Sequence, residues 1–80
     1  MLEIGELVKL NNNKDYIVIN SLNLHNVRYV FLISKAKPLD IVIATEKIKD
    51  ESIVLNEIKD NTELDYILSQ FVLKNENGEA

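Results

Sequence analysis

The 80-residue sequence predicts an α+β fold: an antiparallel sheet of about five strands, curved or closing into a small, partly open barrel, then one C-terminal helix at about 61–74. Three observations carry that expectation. Short runs rich in β-branched and aromatic residues alternate with polar turn-forming clusters. The last apolar run changes its period from two to 3.6. The central runs are apolar on both parities, which a sheet with one solvated face would not be.

The first strand is read in "EIGELVKL" (3–10), with Ile4, Val8 and Leu10 on one parity and Leu7 on the other. Gly5 stands early, where a bend or bulge fits. "NNNK" (11–14) is a turn, because asparagine tolerates a left-handed backbone and hydrogen-bonds its own chain. "DYIVIN" (15–20) is the second strand and should form a hairpin with the first. "SLNLHN" (21–26) is a connection that either tethers Leu22 and Leu24 to the core or lengthens the flanking strands into a long hairpin.

"VRYVFLIS" (27–34) is the third and most hydrophobic strand. "KAKPL" (35–39) turns the chain at Pro38, which has no N–H to donate and biases Lys37 away from helix. "DIVIATEK" (40–47) is the fourth strand, and a helix at 44–51 lacks a sustained stripe. "IKDES" (48–52) is a polar turn before a short fifth strand, "SIVLNEI" (52–58).

In the final element Leu64, Ile67, Leu68, Phe71 and Val72 recur at helical spacing and define one apolar face. Asp60 or Asn61 caps it, and Asp60 with Glu63 has capping-box spacing. Glu63 and Asp65 suit the positive N-terminal end of the dipole, and Lys74 the negative C-terminal end. Residues 1–74 make one domain, and "NENGEA" (75–80) reads as a frayed tail.

Composition excludes several function classes. The chain has no cysteine, so neither a thiol nucleophile nor a thiolate metal site exists. "MLEIGELVKLNNN" does not read as a signal peptide, and no apolar run approaches a membrane span, so the expected address is cytoplasmic. Residues 1–40 hold five bases and four acids, whereas residues 41–80 hold four bases and nine acids. A net charge of −4 argues against a nucleic-acid partner, whose affinity comes from neutralised phosphates.

His25 is the only histidine and has no nucleophile or second ligand at a recognisable spacing. Tyr29 and Phe31 share a strand face near Lys35 and Lys37, a pattern that can stack bases. Core aromatics followed by a solvated basic turn explain it better, given the net negative charge and the lack of a ribonucleoprotein-type motif. No phosphate-binding, nucleophile-elbow or zinc-protease motif is present. No cofactor, no metal and no enzymatic activity are expected.

The two-sided apolar ribbon raises its own question. One helix covers one face, and wetting Val30, Leu32 and Val42 on the other would forgo roughly 1.5–3 kcal/mol for each. Either the sheet curls over these side chains, or a second molecule covers them. The leading expectation is a non-enzymatic interaction module that self-associates, or binds a protein partner, through Tyr29, Val30, Leu32 and Val42. The alternative is an acidic inhibitor or adaptor, of bacterial or phage origin. It would bind a host protein through Glu46, Asp50, Glu51, Glu57, Asp60, Glu63 and Asp65.

The opener "IGELVKLNNNKDYIVINSL", with "VRYVFLIS" and "IVIATEK", resembles small uncharacterised proteins of low-GC Gram-positive bacteria and their phages. In these, the pattern begins a compact sheet similar to an SH3-like barrel. The resemblance covers about half the chain, implies a fold and carries no functional residues.

Overall fold

The computed structural model describes residues 1–78, with side chains to residue 74. It is an α+β fold of five antiparallel strands and one helix: β1 (Leu7–Lys9), β2 (Asp15–Leu24), β3 (Val27–Ser34), β4 (Ile41–Lys49), β5 (Ser52–Glu57) and α1 (Asn61–Gly78). The strands form a meander in chain order, curled into a half-barrel.

Of the two alternatives for residues 21–26, the lengthened hairpin is the one present. β2 runs on to Leu24 and returns through His25 and Asn26, with φ of 50° and 65°. Two successive left-handed residues make the tight turn whose twist matches paired strands. Asp50 and Glu51, with φ of 52° and 68°, do the same between β4 and β5. β1 is shorter than its apolar pattern, because Gly5 bends the chain with φ of 93° and gives its N–H to the Val18 carbonyl.

The β2–β3 register slips between Val18 and Asn20, leaving Ile19 as a bulge. The bulge reverses the parity of β2. Before it, Tyr16 and Val18 point to the same face as Leu32; after it, Leu22 and Leu24 stand opposite Tyr29 and Val27 on the other face. One strand thereby feeds two cores.

The inner core is Leu2, Tyr16, Val18, Val30, Leu32, Val42 and Ala44, with Val8 of β1 and Leu55 of β5 packed against it. Every strand contributes, as expected of a curled interior. The outer core is Leu22, Ile43, Ile58, Ile67 and Phe71, with Leu24, Tyr29, Phe31 and Leu64 alongside. Here the helix lies on the convex face, and Phe71 meets Phe31 edge-to-face at 5.2 Å between ring centres.

Asp60 caps α1 as expected, its Oδ2 accepting from the Glu63 N–H at 2.9 Å. The helical stripe is narrower than the sequence pattern, because a curved sheet touches a straight helix along a thin line. Leu64, Ile67 and Phe71 pack, while Leu68 and Val72 are exposed. The helix runs past 74 to Gly78, so Lys74 does not sit in the last turn. Its ammonium instead donates to the Ser21 carbonyl. Residues 79–80 of the expected tail lie outside the described residues. Among the described residues no helix is long and apolar enough to cross a membrane.

Candidate functional site

The curl overturns one expectation directly. Val30, Leu32 and Val42 are 0%, 0% and 4% exposed. They are interior side chains, and the folded chain offers no docking face built from them. Tyr29, on the opposite parity, is half-buried in the helix-side core. Phe31 is engaged by Phe71, so it is not an open stacking platform. Lys35 and Lys37 stand apart from both aromatics, lining a hollow with Lys14 beside the β3–β4 connection.

The acids do not form one field either. Glu46 is buried, with its Oε1 3.2 Å from the Arg28 Nε. Asp50 and Glu51 occupy the β4–β5 turn, whereas Glu57, Asp60, Glu63 and Asp65 gather where β5 ends and α1 begins. β5 separates the two groups by roughly 20 Å at strand rise. Among the described residues no group of acids and histidine has the arrangement of a metal site. His25 is an exposed turn residue.

What the fold leaves open is an edge. β5 pairs only with β4, in the register Lys49↔Ser52, Lys47↔Val54 and Thr45↔Asn56. The Ile58 N–H donates to the Ile43 carbonyl at 2.9 Å, which fixes the phase of the ladder. Hydrogen-bonded pairs alternate along antiparallel strands. The even residues of β5 therefore spend their backbone groups on β4. Ile53, Leu55 and Glu57 turn their N–H and C=O outward, with no strand beyond them among the described residues.

A cleft of ≈ 880 Å³ runs beside this edge. Residues 9–12 form one wall, residues 53–57 the other, and Val42 and Ala44 the floor. At its end Ile48 and Ile53 stand directly opposite each other, 63% and 39% exposed. The apolar stretch of β5 contains no proline, lysine or glycine, the residues that commonly blunt an edge.

No family model, curated protein or solved structure matches the chain.

A second apolar surface lies on the convex face. Leu7 pairs with Ile17, Ile17 with Ile33, and Ile33 with Ile41, so four strands carry one apolar row. The helix covers the neighbouring rows around Phe31 and Tyr29 and leaves Leu7 and Ile41 at the ends of this row exposed.

Sequence reasoning missed the edge for a physical reason. "SIVLNE" reads as an ordinary short strand, and only its place as the last strand of a meander denies it a second neighbour. A signal was available: in a meander the first and last strands are edges unless the barrel closes.

Proposed function

We propose that the protein is a small non-enzymatic interaction module that takes an extended protein strand on the open edge of β5, in the cleft beside it. The observation that supports this most is the outward row of Ile53, Leu55 and Glu57 backbone groups beside the exposed Ile48 and Ile53 side chains. Strand addition draws affinity from main-chain hydrogen bonds and specificity from alternate side chains. The exposed Ile53 and Ile48 side chains beside this edge suit the apolar side chains of such a strand.

The acidic adaptor is the competing reading. A contact through carboxylates weakens steeply with salt, whereas main-chain pairing changes little.

The test uses a synthetic decapeptide of alternating threonine and valine, followed by amide resonances of the labelled protein. The expected result is protection and shift of the Ile53, Leu55 and Glu57 amides, insensitive to added salt. In Ile53→Pro the response should be lost while the fold is retained, since residue 53 donates nothing to β4. Neither shift nor protection at these three amides would remove the edge as the binding surface.

A further inference from the structure

We infer that the strand which seats on β5 is β5 of a second copy, antiparallel about a two-fold axis through Leu55. The inference rests on the edge being a binding surface and names its occupant. A two-fold dimer pairs the same surface with itself, so a self-complementary edge is required. β5 and its flanks meet that requirement in one register.

Outward-bonding residues must face outward-bonding residues, so only Ile53, Leu55 and Glu57 can form the hydrogen-bonded pairs. Three registers pair at least two of these three residues with one another. Centred on Val54, the pairing brings Glu51, in the turn ahead of β5, close to the second copy's Glu57 twice, and like charges held close oppose the contact. Centred on Asn56, it sets Leu55 against Glu57 and Ile53 against Lys59, and leaves Val54 opposite an Ile58 that is already buried in its own copy.

Centred on Leu55, it sets Leu55 on Leu55, Ile53 on Glu57 and Val54 on Asn56. Glu51, in the turn ahead of β5, then lies near the second copy's Lys59, just past its β5, and symmetry makes that approach of unlike charges twice. Glu51 and Lys59 are both exposed and available for it. Leu55 lies on the face of the inner core, where Ile53 and Ile48 are still wet. Pairing there extends the half-barrel's sheet through both copies.

The absence of cysteine makes the register directly readable. Sedimentation equilibrium of the full chain should show a dimer. Under mild oxidation Leu55→Cys should cross-link to itself, because residues paired across a ladder lie within disulfide reach. Val54→Cys, which faces Asn56 in this register, should not. Glu51→Lys and Lys59→Glu change only exposed side chains and keep the fold. Each should weaken the dimer about tenfold, and the double variant should restore it to within about threefold.

A monomer at about millimolar concentration would overturn the self-pairing. If that monomer still protects Ile53 and Leu55 with the threonine–valine strand, the edge survives as a binding surface and only its occupant is wrong. A dimer linked through Val54→Cys, or one indifferent to the charge exchange, would overturn the register.

Discussion

Arg28 and Glu46 stand directly opposite each other on β3 and β4, and together they hold the start of the chain. The Glu46 Oε1 accepts from the Arg28 Nε at 3.2 Å and from the Leu2 N–H at 3.1 Å. An Arg28 Nη donates to the Leu2 carbonyl. Leu2 is thereby pinned as a plug at one end of the inner core. A residue that composition assigns to an acidic surface is instead a buried structural clamp.

Removing one member of a buried pair strands the other and commonly costs about 3–5 kcal/mol. Arg28 keeps some solvent contact, so Glu46→Ala should cost about 3 kcal/mol, at the lower end of that range. Urea denaturation measures it. A loss near zero would show that Leu2 is held by packing alone.

The sheet interior and the exposed end of the convex row should respond differently to substitution. Leu32→Ala empties a fully buried site, and such truncations cost about 2–5 kcal/mol. Ile41→Thr, at the exposed end of the convex row, should stay within about 0.5 kcal/mol. Paired denaturation curves check this, and a larger loss for Ile41→Thr would show that the convex row is covered.

Tyr16 lies in the inner core and donates its hydroxyl to Asp40 Oδ2 at 2.6 Å, while accepting from the Asn12 amide at 3.1 Å. The hydrogen bond to Asp40 raises the Tyr16 pKa above its ordinary value. The bond from Asn12 opposes this, and desolvation and the charges of Asp40 and Glu57 add to it. The folded state thus holds this proton more tightly than the unfolded chain. The resulting stability is fully present below the ordinary tyrosine pKa of about 10, and is lost as pH rises from there through the raised value. Between about pH 9 and 11 the wild type should lose more stability than Tyr16→Phe. Equal losses would show that the proton is held no more tightly in the folded state.

His25 and Asn26 adopt left-handed backbone in the β2–β3 turn. The double substitution His25→Asn with Asn26→Gly installs the Asn-Gly pair that such turns favour. It should stabilise the hairpin by about 0.5–1 kcal/mol. Thermal unfolding reads the gain. A loss would assign the His25 side chain a contact that its exposed position does not suggest.

Much of the fold is legible in the sequence because local patterns agree with it. β3 begins and ends where its residues change character, and Asp60 caps the helix it precedes. β2 looks too short in the sequence because a bulge at Ile19 breaks its alternation, and because His-Asn is a weak signal for a two-residue turn. The Arg28–Glu46 pair is illegible for another reason: 18 residues separate them, and only the β3–β4 register brings them together. The expected contact face fares worst. Val30, Leu32 and Val42 look like a sticky face in any flat drawing of the sheet, and curvature is a property of the whole sheet rather than of any one strand. The open edge of β5 is likewise a fact of topology.

The most direct test of the edge is amide hydrogen exchange at Ile53, Leu55 and Glu57, followed as protein concentration is raised. In dilute solution these three amides should exchange much faster than those of Val54 and Asn56, which bond to β4. At high concentration they should become protected together, as β5 pairs across the two-fold. Rates that are already slow when dilute, or that stay fast at every concentration, would contradict an open edge that a second copy closes.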